Sequence, residues 1–214
     1  MATLLLKKSY QIKSLTEVPF KNLWGKNGVF TTMRLIGKPL KIIFFSEHLK
    51  NLLNSTKTYK IYNKDLNFKL KRIIKLNLDK NIKYNHLLRL AITKDLISIS
   101  LRNRLTPNKN FKLKLLNYKR NNPAHKNLKY NFILTKMKNI NTKSNDLALI
   151  YNNKIFETGT SNLLFVKKGT IYSPEENYYK GITLKLINKV FSIKYSNIYI
   201  KNLNDYEEII LTGS

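Results

Sequence analysis

Apolar residues recur with a period of two in four short stretches of this chain. Leu40-Lys-Ile-Ile-Phe-Phe, Leu88-Arg-Leu-Ala-Ile-Thr, Leu96-Ile-Ser-Ile-Ser-Leu and Phe111-Lys-Leu-Lys-Leu-Leu alternate as strands with one buried face do. They predict a sheet in the first half. Between the first two, Ser46-Glu-His-Leu-Lys-Asn-Leu-Leu-Asn-Ser places Leu49, Leu52 and Leu53 at helical spacing, with Ser46 able to cap. A helix packed on that sheet is expected.

In the second half, Asp146-Leu-Ala-Leu-Ile-Tyr, Asn152-Asn-Lys and Ile155-Phe-Glu read as a hairpin, because consecutive asparagines tolerate the positive φ of a tight turn. A second hairpin is expected from Asn162 to Tyr172 around Lys168-Gly169. From Gly181 the period becomes helical, with Leu184, Ile187 and Phe191 on one face and Thr183 near the start, where helix N–H groups are open to anions. The stretch from Asn117 to Asn127 has no period and contains Pro123. It reads as a connection, so the expected organisation is an N-terminal domain over 1–117, a linker over 118–127 and a C-terminal domain over 128–214, in an α+β fold.

The chain has 214 residues, 43% of them apolar, enough to bury a core. It has no run of about 18 uncharged apolar residues, and Met1-Ala-Thr-Leu-Leu-Leu-Lys is too short for a leader, so a cytoplasmic protein is expected. The absence of cysteine excludes disulfides and thiolate chemistry, and three scattered histidines (His48, His86, His125) argue against a histidine metal site. The formal charge of +28 raises nucleic acid as a partner. The lysines, however, are spread along the chain among asparagine and isoleucine instead of gathering on one arm. That pattern indicates compositional bias, with weak nonspecific binding at low salt and no specific nucleic-acid partner.

Four local patterns carry candidate chemistry. Gly28-Val-Phe-Thr-Thr-Met-Arg comes first, followed by His125-Lys-Asn-Leu-Lys-Tyr-Asn-Phe with two candidate amines, Lys126 and Lys129. Phe156-Glu-Thr-Gly-Thr-Ser-Asn-Leu-Leu-Phe-Val and Tyr179-Lys-Gly-Ile-Thr follow. In this order and spacing they resemble the class IV aminotransferases, the fold type IV enzymes of pyridoxal 5′-phosphate. The resemblance runs from about Gly28 to Ser214. It implies a two-domain architecture of mixed sheets with flanking helices, a homodimer and an amino-acid-like substrate. Lys129, with Lys126 as the alternative, would form the Schiff base with the cofactor. Lys129 has Leu128 and Asn131-Phe132 as flanks but sits one residue closer to that asparagine than is usual, whereas Lys126 lies too far upstream of it. Glu157 would meet the pyridine nitrogen, since a carboxylate there keeps the ring protonated and electron-withdrawing. Gly181, Ile182 and Thr183, with Ser214, would surround the phosphate. Asn162 is expected to fix a turn through its side chain.

The chain also departs from the family pattern. In His48-Leu-Lys-Asn-Leu, Asn51 occupies the place of the arginine that pairs with the phosphate. Thr32 and Leu184 replace the usual glutamate and arginine of their motifs, and the C-terminal domain is expected to be short of its last strands and helix. Phe30-Thr31-Thr32 tilts the resemblance toward aminodeoxychorismate lyases, which make 4-aminobenzoate for folate. The alternatives are a branched-chain or D-amino-acid transaminase and, from another class, a catalytically inactive member with a basic binding surface.

Overall fold

The computed structural model describes residues 4–213. The chain divides into two compact units, Met1–Arg104 with His125–Phe132, and Leu105–Ala124 with Ile133–Ser214.

The first unit contains β1 (Leu4–Gln11), β2 (Glu17–Val18), β3 (Val29–Gly37), β4 (Lys41–Ile42), α1 (Phe45–Thr58), α2 (Leu66–Asn77), β5 (Tyr84–Ile92) and β6 (Leu96–Asn103). The strands form one antiparallel sheet in the order β2-β1-β6-β5-β3-β4. Register sorts the side chains. Val29 pairs with Ile92 and Ile92 with Ile97, while Met33 pairs with Leu88 and Leu88 with Leu101, which puts these six on one face. Leu49, Leu52, Leu66, Leu70 and Ile73 of the two helices complete that core. Each fully buried Leu or Ile contributes about 1.5–3 kcal/mol, so this face dominates the unit's stability. The opposite face presents Phe30, Thr32 and Arg34 of β3, Arg89 and Ala91 of β5, and Ser98, Ser100 and Arg102 of β6.

Three local expectations change. The stretch from Leu40 to Phe45 is strand only over Lys41–Ile42, because Phe44 adopts a left-handed conformation (φ 52°) that turns the chain off the sheet and starts α1 at Phe45. Ser46 is therefore not the cap. The Phe111 stretch does not join the first-half sheet; as β7 (Lys112–Asn117) it pairs in parallel with β8 (Asn145–Tyr151), which requires the long crossover that sequence periodicity cannot display. Phe191 lies just past the last helix in extended conformation and is exposed, so the apolar face of that helix consists of Leu184 and Ile187.

After β7 come α3 (Asn131–Met137), β8, β9 (Lys154–Thr158), β10 (Asn162–Lys167), β11 (Thr170–Pro174), α4 (Ile182–Val190), β12 (Ile193–Ser196), β13 (Ile198–Tyr199) and β14 (Glu208–Thr212). Two four-stranded mixed sheets result, β13-β9-β8-β7 and β12-β11-β10-β14. Both expected hairpins are present. Asn152 and Asn153 carry φ of 49° and 59°, and Lys168 and Gly169 carry 49° and 68°, the paired positive values that match a tight turn to twisted strands. Among the described residues, no helix is long and apolar enough to cross a membrane.

Candidate functional site

In the second unit the site is built around Glu157. Phe156 is passed over in the β8–β9 register, with Ile155 opposite Ile150 and Glu157 opposite Leu149; such a bulge re-aims the side chains beside it. Glu157 is 5% exposed, as is Arg120, whose Nε donates to Glu157 Oε1 at 2.6 Å. The Arg120 Nη2 also donates to the Pro123 carbonyl at 2.9 Å, and the Tyr179 N–H reaches Glu157 Oε2 at 3.4 Å. Asp146, buried at the start of β8, accepts from the Thr158 and Thr160 hydroxyls at 2.6 Å each and so holds the turn that follows Glu157.

The start of α4 is tied to the same network. Asn162 Nδ2 donates to the Tyr179 carbonyl at 2.6 Å, and its Oδ1 accepts the Gly181 N–H at 2.9 Å. Asn162 thus fixes a loop 17 to 19 residues away. Gly181 is the N-cap with no side-chain cap, which leaves the first-turn N–H groups of Ile182 and Thr183 at the helix end as donors for an anion. The Thr183 hydroxyl donates to the Gly213 carbonyl at 3.4 Å, bringing the turn after β14 beside that helix start. Ser214 lies outside the described residues. Tyr178, against this network, has its phenol pushed up to about 12, mainly by burial. Backbone donors at the start of α4 and the buried Glu157 carboxylate are thus linked within this unit through Tyr179 and Asn162.

The two candidate lysines belong to the first unit. Residues 125–132 run across the start of β3: the Leu128 N–H donates to Gly28 O at 2.9 Å, the Phe30 N–H to Lys126 O at 2.8 Å and the Gly25 N–H to Leu128 O at 2.7 Å. This close approach explains Gly28, where a Cβ would overlap the Ile92 carbonyl oxygen and the Leu128 side chain. Lys126 is half-buried, with its ammonium 5.8 Å over the Phe30 ring, whereas Lys129 is exposed. Phe30, Trp24 and Tyr130 form an aromatic cluster, and the Arg89 guanidinium lies 4.7 Å over Trp24.

On the core face of the sheet, Thr31 Oγ1 lies 2.8 Å from Nδ1 of buried His48 on α1. Burial, and then the charge of Lys126, holds the His48 pKa down to about 4. Asn51, one turn further along α1, gives its carbonyl to the Ser55 hydroxyl, and Ser55 meets His125 Nδ1 at 3.2 Å.

Sequence reasoning missed the arginines. Arg34, Arg89 and Arg102 share the sheet face opposite the core, partly buried, with Arg104 just beyond β6. Burial, and then Arg102, lowers the Arg89 pKa to about 10; burial lowers Arg102; burial, and then Arg34, lowers Arg104. None of the four forms a salt bridge among the described residues, and the Nε atoms of Arg34 and Arg104 are buried with no hydrogen-bond partner. A signal was available: in a chain that uses lysine almost everywhere, five of its six arginines stand either in this group (Arg34, Arg89, Arg102, Arg104) or on Glu157 (Arg120), leaving only Arg72.

The first unit carries the two candidate amines, and the second carries a buried carboxylate and an uncapped helix start. The model of the family described as amino-transferase class IV matches residues 28–214. A branched-chain aminotransferase from Thermoproteus uzoniensis, solved with norvaline, superposes with a TM-score of 0.78 at 15% identity, covering 96% of this chain and 83% of that one. A second branched-chain amino acid aminotransferase, from T.th., solved with N-(5′-phosphopyridoxyl)-L-glutamate, gives 0.77 at 18% identity, covering 100% and 82%. A 4-amino-4-deoxychorismate lyase candidate from Legionella pneumophila gives 0.68 at 22% identity, covering 88% and 79%. Among curated proteins no sequence matches. The chain belongs to the class IV aminotransferases, a family of pyridoxal-phosphate-dependent transaminases and lyases.

Proposed function

We propose that this enzyme is a cytoplasmic aminodeoxychorismate lyase, releasing pyruvate and 4-aminobenzoate from 4-amino-4-deoxychorismate. The observation that carries the reading is the arginine face of the first unit. The substrate has two carboxylates, and Arg34, Arg89, Arg102 and Arg104 offer guanidinium groups with no salt bridge among the described residues. Thr32, the last residue of Phe-Thr-Thr, stands directly opposite Arg89 on that face. An aliphatic side chain, as in a branched-chain substrate, gains nothing from such a surface.

Pyridoxal phosphate, when bound, supplies an electron sink for the pair left on the substrate carbon as its proton departs. Lys126 would tether it and carry that proton; partial burial over Phe30 and its backbone anchor to β3 support Lys126 over Lys129, which is exposed. Glu157 would hold the ring nitrogen, and Gly181, Ile182 and Thr183 would receive the phosphate through backbone and hydroxyl donors. Asn51 stands where the family resemblance expects an arginine for the phosphate, so the backbone donors of α4 would carry more of its binding.

A second reading, transamination of a branched-chain amino acid, is favoured by the higher TM-scores of the two aminotransferases. Pyruvate formation from aminodeoxychorismate separates the two: amino exchange between a branched-chain amino acid and a 2-oxo acid without pyruvate release would reject the lyase. For the lysines, addition of pyridoxal phosphate is expected to give a borohydride-sensitive visible band in the native protein and in Lys129→Ala, and none in Lys126→Ala.

A further inference from the structure

Glu157 is already paired within its own unit. Arg120 Nε lies 2.6 Å from Oε1, both residues are 5% exposed, and the guanidinium is itself anchored by Nη2 on the Pro123 carbonyl. Opposite charges this close and this dry stabilise one another's ionised forms. The carboxylate must nonetheless meet a ring nitrogen that is useful only when it bears a proton.

We propose that Arg120 keeps Glu157 a carboxylate both before and after cofactor binding, so that the proton on the ring nitrogen is drawn from solvent and not from Glu157. The inference rests on the pyridoxal-phosphate reading above. With Arg120 present the unloaded site holds no proton to give, and one is taken up as the ring binds. With the guanidinium gone, the buried carboxylate acquires a proton in the unloaded protein, because an unpaired charge is costly there. On binding, that proton crosses to the ring nitrogen and none is taken up. Arg120 is thus a positioning residue that acts through Glu157. Within this unit Glu157 also faces the Tyr178 phenol, pushed up to about 12 chiefly by burial and hence neutral and silent in this exchange near neutral pH, and the Tyr179 N–H, which does not titrate.

Proton uptake on titration with pyridoxal phosphate, measured calorimetrically at mildly alkaline pH in two buffers of different ionisation enthalpy, tests this directly. The native protein and Arg120→Lys are expected to take up the same number of protons, and Arg120→Gln about one fewer, with a correspondingly flatter dependence of affinity on pH, by up to about tenfold per pH unit. Equal uptake in all three overturns the proposal. A second measurement needs no Arg120 variant: the infrared difference between native unloaded protein and Glu157→Gln should lack a protonated-carboxyl carbonyl band, and the presence of that band overturns the proposal as well. A native protein that binds no pyridoxal phosphate fails the functional reading and takes this inference with it. Binding with unchanged proton counts fails the inference alone.

Discussion

Acidification from pH 7 to pH 5 is expected to cost the first unit about 2 kcal/mol through a single histidine. His48 is 6% exposed on α1 and sits 2.8 Å from the Thr31 hydroxyl, and its pKa is lowered from 6.5 to about 4 by burial first and by Lys126 second. The sign follows from which state binds the proton. The unfolded chain protonates this imidazole below its ordinary value near 6.5, but the folded chain does not until about 4. Stability is therefore untouched above about pH 6.5 and falls by about 1.36 kcal/mol per unit below it, giving roughly 2 kcal/mol at pH 5 and about 3 kcal/mol near pH 4. Urea unfolding at pH 7 and pH 5 can be followed by fluorescence of Trp24, the sole tryptophan, which lies in this unit. His48→Gln can still hydrogen-bond Thr31 but does not titrate, so the native protein should lose about 2 kcal/mol more than the variant between the two pH values. Equal losses refute the reasoning. Lys126→Met, which removes the second cause, should shrink the native loss only in part.

Gly28→Ala is expected to destabilise the first unit by about 1–3 kcal/mol or more, because the new Cβ overlaps a backbone carbonyl oxygen that cannot swing aside; an unchanged urea midpoint would contradict the close approach of β3 to Ile92. Asn51→Arg should tighten pyridoxal phosphate by about 1.5–3 kcal/mol, roughly ten- to a hundredfold, in a fluorescence titration. No gain would mean that the phosphate does not lie against α1.

The hairpins at Asn152-Asn153 and Lys168-Gly169, the helix after Gly181 and the family motifs were legible because each rests on residues close together in sequence: turn conformation, spacing and period are local properties. Boundaries were legible only where the local signal was unopposed. Ser46 looked like a cap, but the left-handed backbone at Phe44, set by the exit from the sheet edge, placed the cap and the helix start two residues earlier. The strand period of Phe111 to Leu116 was correct, but its partner was not, since a parallel pairing across a crossover leaves no trace in the alternation itself.

What the sequence determined by itself was that a carboxylate, two amines and a Gly-Ile-Thr helix start exist in family order. Only the folded chain decided how they are held. β-sheet register sends Thr31 to His48 and Thr32 to Arg89, and it gathers Arg34, Arg89 and Arg102 on one face. Burial distinguishes Lys126 from Lys129, and a loop that read as a mere connection delivers Arg120 to Glu157 across 37 residues of chain. The physical reason is range: composition and period report what neighbours along the chain can do, whereas ion pairing and desolvation depend on which distant groups the register and the core bring within a few ångströms.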